Sequence, residues 1–369
     1  MPLRATITSS LSLLCLLASA APAQQQSAAS SNPASQHPQW SIVLHGGAGV
    51  IERKDMSPEA EAAYRASLAY ALKTGSDVLD RGGSALDAIE AAIQVLEDDP
   101  LFNAGRGAVF TADGRNELDA AIMDGSSLKA GAVASVTRTR HPISLARAVM
   151  DKTPHVMLIG SGADDFAAKA GLEIVPPAFF FTEKRWQSLI NELKKEGKPL
   201  PQRPAGVPAP KTESLAEPRF QIEESATTRA YGTVGVVARD KNGNIAAGTS
   251  TGGLQAKMPG RVGDSPIIGA GTYANNNSCA VSGTGTGEYF IRLGVAREIA
   301  NLVYFEHKSV QQAADQVIHG ELEALHGDGG VIAVDRNGNM AWSFNTPGMF
   351  RARVSQGGAP EIKIYNDEQ

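Results

Sequence analysis

The stretch Tyr231-Gly232-Thr233-Val234-Gly235 divides the sequence into two unlike halves. Upstream, residues 196–222 carry Pro199, Pro201, Pro204, Pro208, Pro210 and Pro218 among lysines and glutamates, with no apolar period. Proline fixes φ and lacks an amide donor, so that spacing forbids continuous helix or strand. A loop of this length inside a compact domain is functional or a tether. Downstream, Val234 to Ala238 is apolar and strand-like. A threonine opening a strand is ordinary filler by itself. Thr233 stands out through the small Gly232 before it, Gly235 soon after, and the tether upstream. A threonine hydroxyl is a poor nucleophile without a base, and an N-terminal threonine carries one in its own α-amine. Unperturbed α-amines have pKa values of roughly 7.7–8.0, so about a tenth is neutral at pH 7. The junction therefore reads as a self-cleavage point between Gly232 and Thr233, which frees Thr233 as nucleophile and base.

Outward from the junction the pattern is layered. Val236 to Ala246 reads as strand, Asn242-Gly243 turn and strand, and Val331 to Ala341 echoes it around Asn337-Gly338. Between the two hairpins, Glu288 to Phe305 and Val310 to His319 read as helices. At the other end Trp40 to Leu44 is a strand feeding His45-Gly46-Gly47-Ala48-Gly49, which permits either a close backbone approach to a ligand or another strand, or a tight turn. Ser57-Pro58 opens one helix and Ser84 caps a second, whose apolar stripe is Leu86, Ile89, Ile93 and Leu96. That helix ends in Glu97-Asp98-Asp99. Acidic side chains there oppose the macrodipole and call for a compensating charge, a cation among the options. Ala108 to Phe110 and Glu117 to Met123, around Asp113-Gly114, read as a hairpin-like β unit. Further strands fall at Ala130–Thr137 and His155–Ile159, and helices at Ile143–Met150, Asp164–Ala170 and Lys184–Lys195. Mixed sheets with helix pairs define an α+β layered architecture.

Composition narrows the partners. A chain of 369 residues can bury a large core. A net charge of −5 without a dense basic run argues against nucleic acid or an anionic membrane surface. Arg4, the apolar run from Leu11 to Ala18 and Ala21-Pro22-Ala23 read as a secretory signal peptide over residues 1–23. Export, most simply to the periplasm, is the expectation. Residues 24–39 are a polar, disordered lead. Loss of the leader removes Cys15 and leaves Cys279 alone, a small buried hydrophobe with no disulfide partner.

Three polar clusters follow the junction. Gly248 to Gly253 carries Thr249, Ser250 and Thr251 on the returning strand, where Thr251 can reach the nucleophile or simply pack. Pro259 to Pro266 offers Arg261 and Asp264, either a surface ion pair or a guanidinium and a carboxylate matched to the α-carboxylate and α-ammonium of an amino acid. Ser282 to Glu288 looks like a dinucleotide loop, but Glu288 replaces its last glycine and no G-K-[ST] follows. Amides near a helix start with the Thr284 hydroxyl suit a developing oxyanion instead.

Taken together these segments resemble the plant-type asparaginase/isoaspartyl peptidase family of threonine N-terminal-nucleophile hydrolases. The motifs are HGGAG at 45–49, LFNAGRGAVF at 101–110, ELDA at 117–120, GTVG at 232–235, TSTGG at 249–253, PGRVGDSP at 259–266, GAGTYANN at 269–276 and GTGTGE at 283–288. They run in order across nearly the whole mature chain. The resemblance implies a four-layer αββα sandwich made of an α subunit (residues 40–232, with a flexible linker over about 196–230) and a β subunit (233–369), paired as an (αβ)2 heterotetramer. It implies Thr233 as nucleophile after cleavage at Gly232, Thr251 as its helper, and Thr284 with Gly285 as oxyanion hole. Arg261 and Asp264 would hold the substrate, with Asn103 and Gly285 beside it. The carbonyls of Leu96, Glu97, Asp99, Phe102, Ala104 and Arg106 would wrap a structural sodium ion, and no cofactor is required for catalysis. The expected reaction is hydrolysis of β-aspartyl dipeptides and L-asparagine. Glycosylasparaginase shares a similar GRVGDSP stretch but usually has Asn before the last glycine of TSTGG. A non-catalytic exported amino-acid-binding protein is the alternative of another class; it would need no cleavable Gly232–Thr233 bond.

Overall fold

The computed structural model describes residues 38–208 and 230–368. The leader expected over 1–23, nearly all of the lead over 24–39 and residues 209–229 of the linker lie outside them. Strand β1 (Ser41–Gly49) puts Ile42 and Leu44 on one face and Val43 and His45 on the other, and both faces are buried. Such a strand has to lie between two layers. Helix α1 (Pro58–Asp80) starts at Ser57, whose hydroxyl accepts from Ala60 N, and α2 (Ala85–Asp98) starts likewise at Ser84. The two pack on each other and cover the Ile42 face with Leu68, Leu72, Ile89, Ile93 and Leu96.

The chain continues through β2 (Leu118–Asp124), β3 (Ala130–Val136), α3 (Pro142–Lys152), β4 (Met157–Ile159), α4 (Gly160–Lys169) and α5 (Glu183–Lys195). After the linker come β5 (Ala230–Tyr231), β6 (Val234–Arg239), β7 (Ile245–Thr251), β8 (Thr272–Ala274) and β9 (Cys279–Gly285). Helices α6 (Gly287–Leu293), α7 (Val295–Phe305) and α8 (Val310–Gln316) precede β10 (Gly329–Asp335), β11 (Met340–Phe344), β12 (Gly348–Ser355) and β13 (Glu361–Tyr365). The larger sheet has the order β13-β12-β1-β6-β7-β2-β3-β4, with β5 beside the end of β1. The smaller has the order β11-β10-β9-β8. Val43, Val237 and Ala247 of the larger sheet share one core with Ala280, Val281 and Ile332 of the smaller. Helices α1 to α4 cover the outer face of the larger sheet, and α7 and α8 that of the smaller. This is the four-layer αββα sandwich of the N-terminal-nucleophile hydrolase type. Strand β6, which opens immediately after Thr233, sits near the middle of the larger sheet, so Thr233 stands at the head of a buried central strand.

Four local readings change. Of the alternatives for HGGAG the tight turn falls and the close approach to other strands holds: β1 runs through it, paired with β12 and β6, with a bulge between His45 and Gly47. The hairpin expected around Asp113-Gly114 is a tight turn, with Thr111 and Arg115 bonded across it, and β2 pairs instead with β3 and β7. The helix read over Glu288–Phe305 breaks at Gly294, which adopts a left-handed conformation (φ 62°). The acidic end of α2 is neutralised from within the protein: Arg140 grips Asp98 through both carboxylate oxygens (3.1 and 3.0 Å), and Asp99 is held by Ser67 and caps Leu101 N. Pairings between residues 42 apart leave no periodic trace in the sequence. Cys279 is fully buried and burial pushes its thiol up to about 12, which makes it inert.

Candidate active site

Thr233 lies on the face of Gly235 and Val237 that looks onto the smaller sheet, and is 8% exposed. In the β6–β7 pairing Val234 stands opposite Ser250 and Gly235 opposite Thr249, which carries Thr251 to the head of β6. The Thr233 and Thr251 hydroxyls lie 3.0 Å apart. Gly253 N donates to Thr251 Oγ1 at 2.9 Å, which holds that hydroxyl in place. The expected pairing is therefore present as direct contact.

Asn103 does more than stand nearby. Its backbone amide donates to the Gly232 carbonyl at 3.0 Å, polarising the bond expected to break. Its own carbonyl accepts from Gly252 N at 3.0 Å, its Nδ2 donates to Gly253 O at 2.7 Å, and its Oδ1 accepts from Val109 N at 2.8 Å. One residue thus ties the junction to the turn that holds Thr251. A Cβ on Gly232 would fall 2.4 Å from Asn103 Cβ, so the approach requires glycine there.

Arg261 reaches Glu288 with Nε and Nη2, both at 3.0 Å, and is largely buried. Its Nη1 lies against Gly253, and Gly287 packs against both the Arg261 guanidinium and the Asp264 carboxylate. The fold therefore gathers both members of the expected clamp around Gly287, with Arg261 reaching the Thr251–Gly253 turn. Asp264 is buried and its Oδ2 has no hydrogen-bond partner among the described residues. Burial pushes its carboxyl up to about 7, with Arg261 working against that. Thr284 is fully buried on β9 and accepts from Ala48 N at 3.4 Å, so HGGAG touches the expected oxyanion residue; Gly285 closes β9 opposite Gly329.

Two features escaped sequence reasoning. His45 is wholly buried, with Nδ1 3.1 Å from the Thr233 carbonyl and Nε2 3.0 Å from Ser282 Oγ. Burial holds its pKa down to about 3, outweighing the bond to Thr233, so the ring is neutral. Lys257 and Asp119 form a fully buried ion pair at 3.8 Å, and Lys257 also donates to Glu117 O at 2.9 Å. Asp119 stands opposite Thr251 in the β2–β7 register, which gives the ELDA segment a place behind the helper. The signal available for His45 was the period of two in Thr249/Thr251 and Ser282/Thr284, which places polar hydroxyls on one face of each strand.

Around the end of α2 the chain curls back so closely that a Cβ on Gly105 would lie 2.3 Å from Glu97 O, and one on Gly107 2.0 Å from Phe102 O. A loop of backbone carbonyls that side chains would fill fits the expected cation cradle. The Glu97 carboxyl beside it is buried and pushed up to about 8, with Ser250 and the Ile143 amide bonded to Oε1.

The sandwich with a threonine at the head of a central strand defines the class, an N-terminal-nucleophile hydrolase fold. The chain belongs to the asparaginase family, whose pattern matches residues 38–364. It is 48% identical over 326 residues to an isoaspartyl peptidase of Salmonella typhimurium, covering 88% of this chain and 98% of that one. It is 47% identical to the Escherichia coli isoaspartyl peptidase (89% and 96% covered) and 42% identical to a plant-type L-asparaginase of Pyrococcus furiosus (86% and 96%).

Replacing Asn103 by Ala strands the Gly253 carbonyl and the Val109 amide, each worth about 1–3 kcal/mol when left unsatisfied. Chemical denaturation should show a loss in that range. A loss under about 0.5 kcal/mol, the level of a plain surface change, would contradict the bracing role.

Proposed function

We propose that the chain cuts itself between Gly232 and Thr233 and that the cut enzyme hydrolyses β-aspartyl (isoaspartyl) dipeptides and L-asparagine, giving L-aspartate with an amino acid or ammonia. The observation that carries this reading is the 3.0 Å contact between Thr233 Oγ1 and Thr251 Oγ1 at a junction whose carbonyl already receives the Asn103 amide. The relatives named isoaspartyl peptidase, 47–48% identical and matched over nearly their whole length, support the substrate class.

In the first half-reaction the Thr233 hydroxyl passes its proton to the α-amine and Oγ1 attacks the side-chain carbonyl carbon. The tetrahedral oxyanion is received by the Thr284 hydroxyl and the Gly285 amide. The carbon–nitrogen bond breaks, the leaving amine takes the proton from the α-ammonium, and a β-aspartyl ester remains on Thr233. Water then repeats the sequence, with the α-amine again as base, and releases aspartate. Arg261 holds the substrate α-carboxylate, exchanging Glu288 for it, and Asp264 holds the α-ammonium.

The same reading covers the parts around the site. The carbonyls of Leu96, Glu97, Asp99, Phe102, Ala104 and Arg106 would hold a sodium ion that steadies the Asn103 loop and takes no part in bond making. The leader directs export to the periplasm, and two cut chains assemble as an (αβ)2 heterotetramer.

Thr233→Ala is expected to give one uncut chain without hydrolase activity, read by denaturing gel and a β-Asp-Leu assay; normal cutting in that variant would place the scissile bond elsewhere. Because Asp264 must be ionised to hold an ammonium, kcat/KM is expected to rise as pH passes through about 7. The neutral α-amine requirement acts in the same direction. A kcat/KM profile flat across the acid side of neutrality would remove both groups from the binding and base roles.

A further inference from the structure

We propose that His45 is a positioning residue for the nucleophile: a one-way chain of buried hydrogen bonds, Thr272 to Thr249 to Ser282 to His45 to the Thr233 carbonyl, locks the peptide plane of Thr233 and so aims its hydroxyl. This rests on the hydrolase reading above and adds a device to it.

The direction of the chain follows from its last link. The Thr233 carbonyl can only accept, so the Nδ1 facing it at 3.1 Å must donate. A neutral imidazole has one N–H, which makes Nε2 an acceptor, and Ser282 at 3.0 Å must donate to it. Ser282 Oγ, its proton committed, accepts from Thr249 at 2.7 Å. Thr249 Oγ1 in turn accepts from Thr272 at 2.6 Å. The competing acceptors, Gly271 O for Thr249 (3.3 Å) and Ser265 O for Thr272 (3.0 Å), are each farther away. One carbonyl thus orders four side chains contributed by β8, β7, β9 and β1.

Thr249, Thr272, Ser282 and His45 are all fully buried, in a seam otherwise filled by Val43, Val237, Ala280 and Val281. Polar groups in such a seam persist when every donor is used, and links that polarise one another strengthen together. The strong downward shift of the His45 pKa keeps the ring neutral, and with it the direction of the chain. The seam also explains a glycine that the nucleophile motif alone does not: a Cβ on Gly235 would lie 2.0 Å from Ser282 Oγ and 2.3 Å from His45 Nε2.

Thr233 is consequently held at two atoms, its carbonyl by His45 and its hydroxyl by Thr251. These two bonds fix the rotation about its Cα, from which both the nucleophile and the freed amine hang. Arg261 and Asp264 bind substrate through other elements, so loss of the chain should lower kcat and spare KM.

The test compares full-length wild type with His45→Phe, which keeps the ring without the donor, and His45→Asn, whose amide can reach the Nδ1 position. Self-cutting and β-Asp-Leu hydrolysis are measured in each. Phe is expected to lower kcat about 100-fold with KM unchanged, the scale of a misplaced reacting group. Asn should recover most of that loss. Ser282→Ala, a small change that interrupts the chain, is expected to lower kcat with KM unchanged, and it decides the matter should the Phe variant fail to fold. Wild-type kcat in the Ser282→Ala and His45→Phe variants would overturn the inference while leaving the hydrolase reading intact. A folded Asn variant as impaired as Phe would overturn it as well. A wild type that is inert toward β-Asp-Leu would instead overturn the hydrolase reading and this inference with it.

Discussion

The Gly232 carbonyl accepting the Asn103 amide at 3.0 Å is the contact on which the other features of the site converge. It places the junction against the loop that follows α2, and that loop in turn braces the Thr251–Gly253 turn through two further hydrogen bonds of Asn103, while a third, from Val109 N, ties the loop to itself. The cradle at Glu97 and Phe102 lies on the same stretch of chain, one residue from Asn103. Whatever stiffens this loop therefore stiffens the junction and the helper hydroxyl together. The α+β sandwich supplies the rest: two sheets face to face bring β9 across to β6, so residues from both halves of the sequence meet at Thr233.

The electrostatics of the site are set by burial. Asp264 is pushed up to about 7 because burial excludes water from its carboxyl, with the Arg261 charge working against the shift. His45 is driven the other way by the same exclusion of water and remains neutral. Arg261 has its counter-charge in Glu288, which it meets through Nε and Nη2. Lys257 and Asp119 make a fully buried pair beside β7, where Asp119 stands opposite Thr251.

Much of this was legible in the sequence because it rests on local signals. Ser57-Pro58 and Ser84 begin helices where capping chemistry says they should, and both Asn-Gly hairpins form. Thr251 contacts Thr233, and Arg261 and Asp264 come together across Gly287. What was not legible depends on contacts between distant segments. The bulged course of β1 through HGGAG depends on pairing with β12 and β6 as well as on Gly47, whose φ of 111° favours glycine. Arg140 neutralises the end of α2 from 42 residues away. The turn at Asp113-Gly114 carries the local pattern of a hairpin, yet β2 finds its partners in β3 and β7. His45 reads as part of a glycine motif until the fold sets it between Thr233 and Ser282.

The central claim is that Thr233 becomes an N-terminus and attacks through its own hydroxyl. Intact-mass measurement with N-terminal sequencing of the purified active protein tests it directly. The account predicts two chains, one beginning at Thr233. A single uncut chain that still hydrolyses β-aspartyl dipeptides would contradict it.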